Sequence, residues 1–373
     1  FIFVQSPGLL FLKPYDSIIS LSSTVHVSMS YAFIIVAFYK YRIHYKFISK
    51  QSFRNLFNPI GYYIIFLGLI SILFGIDSGS IIFFIYTLLA CLFFYVFKYL
   101  VYDKQSLYKL VSLLFFSLVI LFIWQIHDVV FAKKIYTYFG IEGSSRGVGN
   151  IDGFKLNRLF YAASVSLITF FSSLFFLLDK HHFNFSRNFL YIMATISYLT
   201  IFLTATRGYV ITYSVIFIIF AFFKKAGAFR FITFSFLSLS IVIFLFPIFN
   251  NQLVLTLERL STMLEFFSGD LTAGGTLIRI SERAPIVWSK FLESPIFGFG
   301  FSSEGLNYND DHVGNYTLLL QGGVIGFMLW INVFFHYIYY LLNLSFKTKN
   351  KASIYFTIGF LFSLWIAHST SSA

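Results

Sequence analysis

Four residues stand where a charge is costly unless it is used: Arg207, Arg279, Arg283 and His312. Arg207 lies in the turn Thr204-Ala205-Thr206-Arg207-Gly208 between two apolar runs. An isolated Arg facing lipid costs about 2.5 kcal/mol or more. It is therefore expected to face water, to snorkel to a lipid phosphate, or to meet an anionic ligand. The run after it should open a helix whose N-terminal N–H groups and partial positive charge favour phosphate. Arg279 and Arg283 are one helical turn apart with Glu282 between them. Two guanidinium forks on one face can grip a pyrophosphate bidentately, or pair with the Glu on a solvated helix. His312 is a candidate general base, or a proton donor and phosphate contact when charged. Asp310 and Asp311 beside it can orient it or complement the N-terminus of the next helix. Two adjacent carboxylates are a weak metal signal, and no metal or cofactor is assigned.

The elements that must position these residues are apolar. Of 373 residues, 58% are hydrophobic and 11% charged, against about 25% charged in soluble proteins. Mean hydropathy is +0.79. The chain reads as an all-α, polytopic transmembrane helical bundle. Its 54 Phe and 25 Tyr can serve sugar stacking or interfacial belts, and the bland explanation is codon usage. The single cysteine, Cys91, lies in an apolar run, which excludes an intramolecular disulfide and a Cys-based metal site. The opening FIFVQSPGLLFLKPYD is too short to span and carries no cleavable signal. It is expected to be the tail of a truncated helix, with one or two more spans before it.

Runs long enough to cross a bilayer fall at about Ile18–Tyr39, Asn58–Gly75, Ile81–Val101, Leu110–Ile126, Phe160–Leu178, Phe189–Ala205, Tyr209–Phe223, Phe231–Phe249, Tyr316–Leu342 and Ser353–His368, ten in all. The second, sixth and seventh are short, so their limits are expected to move. Lys40, Arg42, Lys46, Lys50 and Arg54 follow the first span, Lys104 and Lys109 the third, and Lys180 and Arg187 the fifth. Lys224, Lys225 and Arg230 follow the seventh, and Lys347, Lys349 and Lys351 the ninth. Every odd span thus ends in a basic loop, which places those loops in the cytoplasm and the other gaps outside. The net charge of +12 is a topology signal and not a nucleic-acid footprint.

Three regions follow: N-terminal helices over 1–249, a large outer loop over 250–315, and C-terminal helices over 316–373. Within the loop, Gln252–Phe267 has the apolar spacing of an amphipathic helix lying on the membrane. A Gly-rich break spans Ser268–Thr276, and a second helix is expected over Ile280–Leu292, kinked by Pro285 or starting later. Gly298 and Gly300 make the next loop. Gly322, Gly323 and Gly326 in the ninth span are expected to let helices approach closely and to hold the helix that carries His312.

His312-Val313, nine residues, then Gly323-Val324-Ile325-Gly326 resembles the signature of the bacterial O-antigen ligase and O-antigen polymerase family. Arg279 through Trp288 and then Glu293-Ser294-Pro295-Ile296-Phe297-Gly298-Phe299-Gly300 is similar to its Arg…Trp…Asn-Pro…Gly-x-Gly block, and Thr206-Arg207-Gly208 to its Ser-Arg-Gly turn. The resemblance covers about residues 190–342, and Val313 stands where that family has a polar residue. It implies a GT-C-like glycosyltransferase in a bacterial inner membrane, with its site facing the periplasm. The substrate would be an undecaprenyl-pyrophosphate-linked glycan, used without metal. Arg207 and Arg279, aided by Arg283, would hold the pyrophosphate, and His312 would activate the acceptor hydroxyl or contact phosphate. A chain-length regulator and a flippase are the implied partners, with membrane lipid. A polymerase is the expected activity, with a ligase acting on lipid A–core as the alternative. A flippase for the same lipid-linked sugar is the second alternative, disfavoured because charges within the spans are nearly absent.

Overall fold

The computed structural model describes residues 50–77, 81, 84, 104–131, 150–151, 154–155, 163–179, 185–204, 207–245, 253–254, 256–258, 261, 278–310, 313–347 and 351–370. Among them the chain is helical apart from one two-stranded hairpin. The helices are α1 (Lys50–Leu73), α2 (Lys104–Val130), α3 (Ala163–Leu178), α4 (Arg187–Phe202) and α5 (Arg207–Phe223). They continue with α6 (Lys225–Leu245), α7 (Ile278–Phe291), α8 (Ser303–Leu306), α9 (Gly314–Lys347) and α10 (Lys351–Thr370). The hairpin pairs β1 (Asn150–Ile151) antiparallel with β2 (Phe154–Lys155).

Among the described residues two helices, over Gln105–Val130 and Gly314–Lys347, are long and apolar enough to cross a membrane. Shorter apolar helices run over Pro59–Leu73, Val165–Leu178, Tyr209–Phe223 and Lys351–Ile366. The boundaries differ from the sequence reading where polar residues extend an apolar run. The second expected span becomes α1, which begins at Lys50. The expected span from Phe231 becomes α6, which begins at Lys225, so Lys225 and Arg230 lie on its first turns and Lys224 alone separates it from α5. The span expected over Ile18–Tyr39, and all but Ile81 and Phe84 of that over Ile81–Val101, lie outside the described residues, as does most of Gln252–Phe267.

One core joins α2 to α6 with α10. Phe170, Leu174, Tyr213, Phe220 and Phe356 are buried in it, with the Phe170 and Tyr213 rings stacked at 4.8 Å between centroids. Among the described residues the α3–α4 contact is the most extensive, and a short hydroxyl relay runs inside it. The Tyr213 hydroxyl donates to Ser166 Oγ at 3.0 Å, and Ser166 Oγ donates to the Ser197 carbonyl at 2.7 Å. Small residues let the two backbones come close, and the relay keeps the Tyr213 and Ser166 hydroxyls paired, while the Thr169, Ser173 and Thr200 hydroxyls are buried without a partner among the described residues. The second packing unit is built on α9, against which α1 and α7 lie. Rings of α9 and α10, Phe334 and Trp365 at 4.3 Å, tie that unit to the first.

The two ends of the bundle differ in charge. The first turn of α4 brings Arg187, and the α5–α6 junction brings Lys224 and Arg230, to the end where α3 stops. Lys224 Nζ donates to the Leu177 carbonyl, satisfying one of the orphan acceptors of that helix end. At the opposite end of α2 and α4, Gln125 Nε2 donates to the Thr200 carbonyl at 3.3 Å, and buried Asp128 meets His127 Nδ1 at 3.2 Å.

Candidate functional site

The helix α9 is broken. Gly323 has φ 59° and ψ −166°, a region essentially open to glycine alone. In an unbroken helix the Val324 N–H would bond to the Leu320 carbonyl and the Ile325 N–H to the Gln321 carbonyl. All four groups are redirected to one loop. The Phe299 N–H donates to Leu320 O at 2.9 Å and the Gly300 N–H to Gln321 O at 2.7 Å. Val324 N–H donates to Pro295 O at 2.9 Å and Ile325 N–H to Ile296 O at 3.2 Å. The loop therefore splices the two halves of α9, and the polar groups at the break stay paired.

This splice works only with bare backbone. A Cβ on Gly323 would fall inside contact distance of Ile296 O, and one on Gly298 (φ 69°) inside that of Gly323 N. The Gly-x-Gly and Gly-x-x-Gly elements, more than 20 residues apart in the chain, are two sides of one joint. The end of α1 completes it. Ser71 Oγ accepts the Phe301 N–H at 2.7 Å and donates to its own Leu67 carbonyl at 2.6 Å, while the Phe74 and Phe299 rings lie 4.9 Å apart. The close approach expected of the glycines holds for Gly326, whose added Cβ would meet the Phe66 ring at 3.0 Å, whereas one on Gly322 would make only ordinary contacts, 3.6 Å from Leu67. Gly323 does something different: it interrupts the helix.

The joint holds α7 over the head of α9. Ala284 and Val287 of α7 pack with Phe299, Leu320 and Val313. Val313, fully buried there, shows why that position is apolar in this chain: a polar side chain would sit against hydrocarbon. Helix α7 begins at Ile278 and runs through Pro285 without ending, so the proline neither delays nor stops it.

Among the expected site residues, Arg283 is brought to Asp310. Its Nη1 lies 3.3 Å and 3.4 Å from the two carboxylate oxygens. The partner is thus Asp310, across the loop, and not Glu282 beside it on the helix. The Arg283 side chain remains 45% accessible and that of Asp310 23%, which leaves the guanidinium open to an anion. Arg279 is on the same helix one turn earlier. Thr317 Oγ1 donates to the Asp310 carbonyl at 2.9 Å and accepts the Asp310 N–H at 3.3 Å, and Gln321 Nε2 donates to Asn309 Oδ1 at 3.2 Å. These bonds pin the segment entering α9. His312 and Asp311, within that segment, lie outside the described residues. At the start of α9, Asn315 Oδ1 is buried without a hydrogen-bond partner. Arg207 is the first residue of α5, whose main neighbours are α10, α6, α3 and α4.

The sequence reading missed Lys290. It lies on the buried face of α7 with Ala284, Val287 and Phe291, its side chain 8% accessible. Its Nζ bonds Glu293 Oε2 at 2.6 Å and Glu304 Oε1 at 2.5 Å, and sits 4.7 Å from the Phe299 ring centroid. The two carboxylate hydrogen bonds, Glu293 first, raise the Lys290 pKa above its ordinary value against the cost of burial. The cation ties α7 to α8 on the far side of the loop that splices α9. Its signal was in the sequence: a lysine at apolar helical spacing, followed by Glu three residues later.

Among the described residues no group of three His, Cys, Asp or Glu side chains could hold a metal ion. No protein-family model, no curated protein and no solved structure matches the chain.

Proposed function

We propose that this chain is a membrane glycosyltransferase that polymerises a surface polysaccharide from undecaprenyl-pyrophosphate-linked repeat units. In this reading it crosses a bacterial inner membrane ten times over the present sequence with a GT-C-like arrangement. Its basic end faces the cytoplasm and α7 faces the periplasm. The observation that carries it is the joint at Gly323. Through it, the helix over Arg279–Trp288, the Gly-x-Gly loop and the described residues Asp310 and Val313 meet at the head of α9, as one site built from those motifs requires.

In the reaction, the acceptor hydroxyl oxygen of one lipid-linked unit attacks the anomeric carbon of another. The bond from that carbon to the pyrophosphate oxygen breaks, and undecaprenyl pyrophosphate leaves with the electron pair. Arg279 and Arg283 stabilise the charge that grows on the leaving group, with Arg207 as the third cation. The hydroxyl proton passes to His312. Guanidinium groups supply the positive charge, so the scheme needs no metal. The buried Asn315 Oδ1, without a partner at the entrance of α9, supports the reading as an acceptor left over for the substrate.

The test is the surface glycan of cells lacking this gene, complemented with wild type, Arg207→Ala, Arg279→Ala or His312→Ala and run on a gel. A single repeat unit that only wild type extends to a ladder supports the proposal. Loss of all surface glycan with long lipid-linked chains accumulating would instead identify a ligase acting on lipid A–core. A normal ladder in every variant would remove the catalytic reading and leave transport.

A further inference from the structure

We propose that Arg187, Lys224 and Arg230, gathered around the Tyr191 hydroxyl where α4 meets the start of α6, form a binding site for a phosphate group. The inference uses the packing of these helices alone and does not depend on the transfer chemistry proposed above. The meeting point is fixed by contact. A Cβ added to Gly227 would lie 2.9 Å from the Tyr191 hydroxyl oxygen and 2.9 Å from Lys224 Cγ, so both side chains converge on that one bare position of α6. The buried Tyr191 ring stacks on Phe234 with centroids 6.0 Å apart. One turn further along α4, Thr195 Oγ1 lies 3.4 Å from Ser235 Oγ. The two helices therefore run side by side in the same direction, and both start at this end. Arg187 stands one turn before Tyr191 on the same face of α4. Arg230 lies between Gly227 and Phe234 on one stripe of α6, and both of those residues touch Tyr191. Both guanidinium groups act electrostatically on Lys224 and on Tyr191.

The three cations are held together without a protein anion. Among the described residues none of them forms an ion pair with a carboxylate, and neither α4 nor α6 has an acidic residue in its first turn. Arg187 is the first residue of α4, a position where the helix dipole disfavours a cation and favours an anion. Lys224 is half-buried and fixed, its Nζ donating to the Leu177 carbonyl. Burial, then Arg187, then Arg230 lower its pKa, so the neighbouring guanidinium groups work against its charge. Arg187 and Arg230 are exposed and present their forks to a ligand. A tetrahedral phosphate fits this set, because it accepts bidentate bonds from guanidinium groups and one more from a phenol hydroxyl. A carboxylate, with two oxygens, serves fewer of these donors. The charge of a phosphate also relieves the repulsion among the three cations. A lipid headgroup and a free phosphate compound bring the same chemistry to the site.

Thermal unfolding of the purified chain in a neutral detergent should be followed during titration with phosphatidylglycerol, inorganic phosphate or acetate at constant ionic strength. Saturable stabilisation by a phosphate-bearing probe, at least tenfold tighter than by acetate, is expected. A response to phosphatidylglycerol with none to inorganic phosphate assigns a lipid headgroup as the source. An equal or stronger response to inorganic phosphate assigns a free phosphate compound. The double variant Arg187→Gln/Arg230→Gln should melt higher than wild type without ligand, because repulsion is relieved, and should bind the phosphate probe at least tenfold more weakly. Lys347→Gln/Lys351→Gln, which removes two exposed cations at the α9–α10 junction, should leave the response unchanged. Acetate acting as well as phosphate, or no saturable response to either phosphate probe, would overturn the proposal. So would an undiminished response in the Arg double variant, or an equal loss of response in the Lys pair.

Discussion

Placing a methyl group on Gly323 tests whether the break in α9 is built or incidental. Ala at φ 59° and ψ −166° must occupy a region that costs roughly 1–3 kcal/mol. Its Cβ would also press on backbone, Ile296 O and Phe297 N, which cannot swing aside as a side chain can. Easing that clash separates the loop from the helix and lengthens the bonds from Val324 N–H and Ile325 N–H to Pro295 O and Ile296 O. At about 1 kcal/mol for each bond, Gly323→Ala should cost about 3–5 kcal/mol. The controls lie on the same helix. A Cβ at Gly322 meets only ordinary contacts at 3.5 and 3.6 Å, and one at Gly326 meets the edge of the Phe66 ring at 3.0 Å. Ala there gains up to about 1 kcal/mol of helix propensity, so Gly322→Ala should be neutral or stabilising, and Gly326→Ala within about 1 kcal/mol of wild type. Thermal unfolding of the purified chain, followed by size-exclusion recovery after heating, ranks the three. If Gly323→Ala matches Gly322→Ala, α9 is continuous in solution and the joint does not exist.

Ser71→Ala removes the acceptor that the buried Phe301 N–H meets at 2.7 Å and should cost about 1 kcal/mol; an unchanged melting temperature would mean that α1 does not clamp the loop. Lys290→Met keeps the buried stem but deletes the cation between Glu293 and Glu304, and should cost about 2 kcal/mol, at the low end for two charge-assisted bonds because both carboxylates are half exposed. The Lys290 pKa is raised in the folded chain, so its contribution is complete below the unfolded value of about 10.4 and fades as pH rises through the folded value. Wild type should therefore lose stability on that alkaline climb by more than Lys290→Met does, and parallel profiles would contradict the pairing. Arg283→Gln removes a half-exposed pair with Asp310 and should change stability by under about 1 kcal/mol, while polysaccharide length on a gel collapses; intact long chains would exclude Arg283 from the site.

What the sequence made legible, and what it hid, follows from which physical signals are local. The apolar runs and the turns between them are local, and α4, α5 and α10 fall close to where hydropathy puts them. The basic ends are also local, although Lys225 and Arg230 proved helical, because a lysine or arginine at a helix start satisfies hydropathy and helix geometry alike. The break at Gly323 is not local. The apolar pattern continues across it, and what permits it is a loop that arrives from residues 295–300 with two carbonyls and two amides at the right spacing. Glycines in an apolar run read as a packing face, and at Gly326 that reading is sound. Only the partner's backbone distinguishes Gly323 from its neighbours.

Val313 carries the same lesson into the site. By the resemblance alone, it stands where a polar residue is expected next to His312. Inside the fold it belongs with Ala284, Val287 and Leu320, the apolar seal between α7 and α9. A chain that moves an apolar residue there must find its polar contact elsewhere, and the nearest unsatisfied acceptor is Asn315 Oδ1, two residues on at the head of α9. Under the proposed transferase reading, the two observations combine: the hydrogen-bonding duty lies at position 315 and not at position 313. Val313→Asn would then restore a motif and damage the protein, burying an amide against hydrocarbon at about 1–3 kcal/mol. Asn315→Leu would spare the fold and shorten the glycan. The reverse pair of outcomes, a tolerated Val313→Asn and a silent Asn315→Leu, would return the duty to position 313.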